Sequence, residues 1–127
     1  FQDLKLLVQT LHAAGADVQY VSIPSNGRWY DHIGIKKDRR EAVYKKIHST
    51  VVDNGGKIYD LTNKDYEKYV ISDAVHIGWK GWVYVDQQIA RHMDGHAPKN
   101  HEVDYSKNKP PHKHHKGRQD DQHQGNK

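Results

Sequence analysis

The residues best suited to chemistry lie in one short segment, residues 72–79, which places an aspartate three positions before a histidine. On a single turn of chain, this spacing lets the carboxylate of Asp73 bind one imidazole nitrogen of His76. The carboxylate would fix the tautomer and stabilise the imidazolium, and the other ring nitrogen would act as a general base toward a nucleophile. The same spacing also occurs in turns whose aspartate caps the backbone and whose histidine has no partner, so both interpretations stand.

Three further side chains are candidates for contact with a substrate. Asn26 follows a predicted strand, and its amide is able to donate to a developing oxyanion. The Asn26-Gly27 pair is also typical of a simple turn. Trp29 is a candidate for a substrate wall or for the edge of the core, and Trp79 is a candidate for a pocket wall.

Eleven histidines raise the question of a metal site. His92 and His96 are four residues apart, a spacing that suits two ligands on one helix, but no third ligand is apparent. A second group, His112, His114 and His115, lies in a polar tail, where loose binding of Zn²⁺ or Ni²⁺ is the alternative to a solvated linker. We predict no structural metal and no cofactor.

Three helices and two strands must position these residues, in the order helix, strand, helix, strand, helix. Apolar periodicity predicts the helices, and β-branched and aromatic residues predict the strands. The predicted helices cover about residues 2–14, 36–53 and 80–93. The predicted strands cover residues 18–23 and 57–61, and the loops cover residues 24–35 and 62–79, with one helical turn near 64–69. The buried stripe predicted for the last helix is Trp82, Val85, Ile89 and Met93.

The order of elements predicts an α/β fold. A connection that contains a helix implies parallel pairing of the two strands. Two strands are too few for a parallel sheet covered on both faces. Because the chain also does not begin with Met, we expect it to be the C-terminal part of a longer protein whose other strands lie upstream.

Composition separates residues 1–96 from residues 97–127. The tail holds seven of the 20 Lys and Arg residues but only four of the 16 acidic ones, so most of the net charge of +4 belongs to it. We therefore expect no nucleic-acid interface on a folded face. The tail is nearly free of apolar residues and is predicted to be disordered. Cysteine is absent, which excludes disulfides, thiolate metal sites and a cysteine nucleophile.

Two motifs resemble the DltD family, the D-alanyl-lipoteichoic acid biosynthesis proteins of Gram-positive bacteria. Residues 72–82, Ser-Asp-Ala-Val-His-Ile-Gly-Trp-Lys-Gly-Trp, resemble the end of these proteins. Residues 24–30, Pro-Ser-Asn-Gly-Arg-Trp-Tyr, are similar to the family's Pro-Val-Asn-Gly-Lys-Trp-Tyr, with Ser25 in place of valine. Gly34 before a charged helix and Asp60 after a strand continue a resemblance that covers about residues 1–93.

The resemblance implies a three-layer α/β/α parallel-sheet domain of the SGNH-hydrolase or flavodoxin-like type, of which residues 1–96 are the C-terminal portion. It also implies a Ser-His-Asp triad in which Asp73 and His76 are the acid and the base. The nucleophilic serine of such a triad follows an early strand that this chain lacks.

The function implied by the resemblance is D-alanyl ester transfer to lipoteichoic acid, with acyl hydrolase or thioesterase chemistry. The expected partners are teichoic acid and a D-alanyl carrier or a membrane acyltransferase machinery. The expected location is the extracytoplasmic face of the cell membrane, through an N-terminal anchor absent from this chain. The alternative is a non-catalytic scaffold or binding protein of a membrane-associated cell-wall assembly, and a third hypothesis is a tail that meets anionic teichoic acid or lipid.

Overall fold

The computed structural model of the chain describes residues 1–96 and 103–111. Its elements are α1 (Gln2–Ala13), β1 (Gln19–Ser22), α2 (Gly27–His32), α3 (Lys37–Val52), β2 (Lys57–Asp60) and α4 (Trp79–Met93), with a 3₁₀ turn at Thr62–Lys64. The two strands pair in parallel, from Gln19 opposite Lys57 to Ser22 opposite Asp60. The α/β class and the parallel pairing are thus confirmed. Among the described residues, no helix is long and apolar enough to cross a bilayer.

The core lies where α1 and α3 pack against the small sheet. Val8 of α1, Val51 of α3 and Ile58 of β2 form its buried centre. The helical spacing of apolar residues in α1 and α3 turns one face of each helix toward this centre. As a result α3, the helix of the crossover, contacts both strands and α1.

A short helix, α2, occupies the region predicted as a loop between residues 24 and 35. The Asn26 side chain caps it, since its Oδ1 accepts a hydrogen bond from the backbone of Trp29 at 3.3 Å. Asparagine favours both turns and helix starts, and a helix of six residues is too short to show periodicity. The Asn26-Gly27 signal therefore marks a helix start, and the loop prediction was wrong here.

The buried face of α4 also differs from the predicted stripe. Of the four residues of that stripe, only Val85 is buried, and the other buried positions are Gly81 and Gln88. Gly81 decides the orientation, because a Cβ at this position would collide with the carbonyl oxygen of Val70. The face of α4 that carries Gly81 therefore packs against the backbone of Val70. The large apolar residues of the predicted stripe are exposed: Trp82, Ile89 and Met93.

A buried arginine on α3 joins three segments of the chain. Arg40 is only 3 % exposed. Its Nη1 donates to Asp31 Oδ1 at 2.7 Å and to the Ile35 carbonyl at 2.6 Å, while Nε and Nη2 donate to Asp65 Oδ2 at 3.2 and 3.1 Å. The Tyr66 hydroxyl accepts from Nη2 at 2.8 Å and donates to Asp31 Oδ2 at 2.6 Å. We call Arg40, Asp31, Asp65 and Tyr66 the arginine cluster.

Within the arginine cluster, each charged group stabilises the ionised form of its partners. Burial opposes the charge of Arg40, but hydrogen bonds with Asp31, Tyr66 and Asp65 outweigh it, and its pKa is raised. Burial raises the pKa of Asp65, and the neighbouring Asn108 and Arg40 reverse that effect only in part. A buried ion pair loses most when one partner is removed, because the other charge is then left without compensation.

We expect Arg40→Leu to lower the free energy of unfolding by about 3–5 kcal/mol at neutral pH, because Asp65 would remain buried without a counter-charge. The raised pKa of Asp65 means that the folded state binds its proton more readily than the unfolded state. Stability of the variant should therefore recover as the pH falls below neutrality and Asp65 becomes protonated. Urea unfolding at pH 7.5 and pH 5 checks this, and an equal deficit at both values would contradict it.

Part of the tail predicted to be disordered packs on the domain. Within residues 103–111, Tyr105 is 8 % exposed and Asn108 is 5 % exposed. The Tyr105 hydroxyl lies 2.6 Å from Thr62 Oγ1, and Lys45 Nζ lies 5.6 Å from the centre of its ring. One aromatic side chain with a polar partner offsets the ordering cost that the polar composition indicates. The disorder predicted for residues 97–102 and 112–127 lies outside the described residues.

Because Tyr105 anchors this segment, we expect Tyr105→Ala to destabilise the protein by about 3 kcal/mol, the cost of removing a buried aromatic side chain. Lys107→Ala is the matched control, since Lys107 lies two residues away and is exposed. Thermal unfolding of both variants provides the measurement. Equal melting temperatures would show that the segment contributes nothing to stability.

Candidate active site

The segment that carries Asp73 and His76 is a tight loop between the 3₁₀ turn and α4. Ile71 and Ile77 face each other in an antiparallel bridge at its base. The backbone nitrogen of Ser72 donates to the His76 carbonyl at 2.8 Å, and that of Gly78 donates to the Val70 carbonyl at 2.7 Å. The chain therefore reverses within a few residues, as the Asp-x-x-His spacing requires.

Asp73 and His76 meet inside this loop. His76 Nδ1 lies 2.7 Å from Asp73 Oδ2, within the hydrogen-bond range expected of a catalytic pair. The other carboxylate oxygen, Oδ1, accepts from the backbone nitrogens of Val75 and His76, each at 3.0 Å. The His76 side chain is 78 % exposed. With Nδ1 bound to the aspartate, Nε2 is the nitrogen available to an incoming group.

The loop also determines the charge of Asp73. Hydrogen bonds from the His76 backbone, the Val75 backbone and the His76 ring, in that order, hold the pKa of the Asp73 carboxyl well below its usual range. A carboxylate that accepts several hydrogen bonds favours its ionised form. Asp73 therefore stays ionised at neutral pH, and it places a negative charge beside the imidazole ring.

We expect the carbon-13 carboxyl resonance of Asp73 to titrate below the ordinary aspartate value of about 3.9. In His76→Ala the midpoint should be higher than in the unmodified protein, because the ring donor is lost. It should still be lower than that of an ordinary aspartate, because both backbone donors are kept. Because the pKa of Asp73 is lower in the folded state than in the unfolded state, its ionised carboxylate stabilises the fold at every pH above the ordinary aspartate pKa. That contribution is lost as the pH falls through the folded pKa. An ordinary midpoint in the unmodified protein would contradict the loop geometry.

A backbone hydrogen bond ties the loop of Asp73 and His76 to the start of α2, and a second bond ties α2 to Asp65. The backbone nitrogen of Asn26 donates to the Ala74 carbonyl at 2.9 Å, and that of Gly27 donates to the Asp65 carbonyl at 2.7 Å. Asn26 thus lies beside the loop at the carboxyl edge of the sheet, where ligands bind in α/β proteins. Its Oδ1 caps α2, and its role as an oxyanion donor stays a prediction.

The two tryptophans proposed for substrate contact are both exposed. Trp79 begins α4 directly after the loop and packs against Tyr69, with ring centres 5.7 Å apart. Trp29 is on α2 and packs edge-on against Tyr30, also at 5.7 Å. Both rings are therefore accessible from outside, and the contact with a substrate stays a prediction.

A glycine fixes the exit of the loop into α4. Gly78 is the N-cap residue and has an ordinary backbone conformation. A Cβ at this position would collide with the carbonyl oxygen of Tyr69. The glycine is therefore required by the close approach of two backbone segments rather than by a bend of the chain.

A second Asp-His pair was missed by the sequence analysis. His48 Nδ1 of α3 lies 2.9 Å from Asp60 Oδ2 at the end of β2. Here the side chains are only 16 % and 4 % exposed, and Asp60 Oδ1 accepts from the backbone and hydroxyl of Thr62. The two residues are twelve positions apart, and only the packing of α3 on β2 brings them together. Their burial and the turn contacts of Asp60 indicate a structural pair.

The described residues contain no group of three or more His, Cys, Asp or Glu side chains that could hold a metal ion. His92 Nε2 lies 3.7 Å from Asp17 Oδ2. The histidine cluster at residues 112–115 lies outside the described residues, so its metal binding stays open.

Comparison with known proteins shows which family the chain belongs to. A family model described as DltD protein matches residues 1–94. The chain belongs to the DltD family. A DltD protein of Staphylococcus aureus (strain NCTC 8325 / PS 47) is 80 % identical over 108 residues, which cover 85 % of this chain and 27 % of the relative. The DltD protein of Bacillus subtilis (strain 168) is 40 % identical over 89 residues, 70 % of this chain and 23 % of the relative.

A third DltD protein, from Lacticaseibacillus rhamnosus, is 27 % identical over 90 residues, 70 % of this chain and 21 % of the relative. The chain thus spans about a quarter of the length of the DltD proteins that it matches. The Staphylococcus match is longer than the 93 residues covered by the motif resemblance, so the likeness to DltD proteins continues into the tail.

Proposed function

We propose that this chain supplies the base and the orienting acid of an acyl-transfer site in a DltD protein that acts in D-alanylation of lipoteichoic acid. The observation that carries the proposal is the 2.7 Å contact between Asp73 and His76, with the second ring nitrogen facing outward. In this arrangement Nδ1 carries the proton shared with the carboxylate, and Nε2 is the acceptor.

The proposed reaction is a two-step transfer of an acyl group. His76 Nε2 takes the proton of a serine hydroxyl as the oxygen attacks the acyl carbonyl, and it returns that proton to the leaving group as the donor bond breaks. In the second step Nε2 takes the proton of the acceptor hydroxyl as that oxygen attacks the carbonyl of the acyl-serine, and it returns the proton to the serine oxygen as the ester bond breaks. Asp73 stabilises the imidazolium in both steps. Its low pKa supports this role, since it stays ionised while the ring gains and loses a proton.

The nucleophilic serine is proposed to come from a part of the protein outside this chain. All five serines of the chain lie within the described residues, and none of them makes a hydrogen bond to the His76 ring. Ser72 is adjacent, but its hydroxyl donates to the His76 carbonyl at 3.1 Å. Relatives about three times as long as this chain leave room for a serine elsewhere.

The partners and the location belong to the same proposal. The acceptor is teichoic acid, and the donor is a D-alanyl carrier or a membrane acyltransferase machinery. The site would face the outside of the cell membrane, where that polymer is modified. The outward position of His76, on a surface loop rather than in a closed cavity, suits an acceptor that is a long polymer.

We expect Asp73→Asn and His76→Ala to lower turnover of an acyl ester by about 10³-fold or more in the purified full-length protein, because each variant disables the base. Folding should be nearly unchanged, since both side chains are exposed. His48→Asn is the matched control, because it alters the other Asp-His pair and keeps a donor toward Asp60. Initial rates and circular dichroism of the three variants give the answer.

Rates close to wild type for both Asp73→Asn and His76→Ala would favour the alternative, a non-catalytic scaffold of a membrane-associated cell-wall assembly. A loss of activity in His48→Asn equal to that in His76→Ala would also contradict the proposal. It would mean that the rate depends on the stability of the domain rather than on the exposed pair.

A further inference from the structure

A polar cavity of about 230 Å³ opens beside the catalytic loop. Its wall is formed by residues 65–72 and by the start of α2. Two wall residues also hold the loop, since Ser72 binds the His76 carbonyl through its hydroxyl and Asn26 binds the Ala74 carbonyl through its backbone nitrogen. The cavity is smaller than the roughly 300–1,000 Å³ of typical ligand pockets. It therefore suits one small group of a substrate rather than a whole molecule.

Each carboxylate in the wall has at least one cationic partner. Asp65 binds Arg40 of the arginine cluster, which it shares with Asp31. Glu67 receives Lys64 at 3.0 Å and Lys80 at 2.6 Å. Burial opposes the charge of Glu67, but these ammonium groups and the Tyr84 hydroxyl lower its pKa to about 2. Glu67 is therefore not available to balance a further cation at the cavity, and the Asp65 carboxylate is fully buried.

Two basic side chains of the wall remain uncompensated. The side chain of Arg28, on α2, is exposed and makes no hydrogen bond or ion pair with any residue in 1–96 or 103–111. Lys68 is also exposed, and its Nζ lies 4.6 Å from the centre of the Tyr69 ring. The cavity thus carries a net positive charge from two cations on separate segments. Arginine offers a planar fork of donors and lysine a compact charge, and both types bind phosphate oxygens.

The backbone holds one side of this wall in a fixed position. Tyr69 has a φ of 70°, a left-handed conformation that is rare for residues other than glycine. Its carbonyl accepts from the backbone of Lys80 at 3.2 Å and lies against Gly78. A strained residue persists only where its surroundings over-determine it, and such positions cluster at ligand sites. Lys68 therefore sits on a segment that needs no rearrangement to receive a ligand.

We propose that this cavity binds a phosphodiester group of the acceptor and so places a neighbouring hydroxyl at His76. Arg28 and Lys68 are the anion-binding residues, and the loop that joins the cavity to His76 sets the spacing between the bound phosphate and the reacting hydroxyl. This inference deepens the proposed function and rests on it. The same chemistry is found in a soluble phosphodiester and in the headgroup of phosphatidylglycerol, and the experiment separates these two sources.

The test measures binding by the purified full-length protein at low salt, with glycerophosphoglycerol as the soluble probe and glycerate as a carboxylate of similar size. We expect the dissociation constant for glycerophosphoglycerol to rise at least tenfold in the double variant Arg28→Gln/Lys68→Gln, because two charge-assisted contacts are lost. The matched control is Arg39→Gln/Lys36→Gln, which removes two exposed bases on another surface and should bind as wild type does.

Vesicles of phosphatidylglycerol, compared with phosphatidylcholine, identify the source of the phosphodiester. Binding of the soluble probe that depends on Arg28 and Lys68 supports a polymer acceptor. Binding of the vesicles alone would overturn that assignment. Equal affinity for glycerate, or an unchanged dissociation constant in the Arg28/Lys68 double variant, would overturn the phosphodiester site.

His76→Ala separates this inference from the proposed function, because it should abolish turnover and leave the affinity for glycerophosphoglycerol unchanged. If turnover is lost in His76→Ala but the Arg28/Lys68 double variant binds normally, the cavity proposal fails and the catalytic proposal stands. If His76→Ala keeps its turnover while the double variant loses binding, the catalytic proposal fails and the cavity remains an anion site without that role.

Discussion

The charge of Arg40 must be balanced inside the protein, and this requirement places the elements around the candidate site. Its guanidinium binds Asp31 at the end of α2 and Asp65 just after the 3₁₀ turn. Asp65 in turn accepts the backbone of Gly27, and the next residue back, Asn26, holds the loop of Asp73 and His76. One buried charge is thus connected to the Asp73–His76 pair through a short series of hydrogen bonds. A hydrophobic residue at position 40 would fill the space without positioning these segments.

The sequence predicted best those features that depend on neighbouring residues. The bounds of α1, α3 and α4 agree with the predicted helices within about two residues, because their periodicity extends over several turns. The Asp73–His76 contact is likewise local, but the three-residue spacing alone left a simple turn as an equal interpretation, and the resemblance to the DltD motif favoured the pair. The orientation of α4 was not predictable in this way. It depends on Gly81, whose missing side chain matters only when the backbone of Val70 is known to lie opposite.

Other features depend on residues far apart in the chain. The His48–Asp60 pair exists because α3 packs on β2, and no spacing rule identifies it. Tyr105 lies in a segment whose average composition indicates disorder, but its ring is buried and its hydroxyl contacts Thr62, and Asn108 of the same segment is also buried. The average composition of a polar segment does not show that one of its aromatic side chains is buried. The uncompensated charge of Arg28 was also hidden, because the sequence does not show which acids already have partners.

The parallel pairing of β1 with β2 has a consequence for the order of folding. Gln19 and Lys57 are opposite each other although 38 positions separate them, so the strands meet only when a long connection that contains α3 closes. Closing so long a loop costs entropy and slows folding. The turn that joins Asp73 to His76 spans four residues and can close on its own at an early stage. The hydrogen bond from Asn26 to the carbonyl of Ala74 joins residues 48 positions apart, so we expect it to form only after the two strands have paired. We therefore expect the Asp73–His76 contact to form early in folding and the docking of its loop against Asn26 to form late.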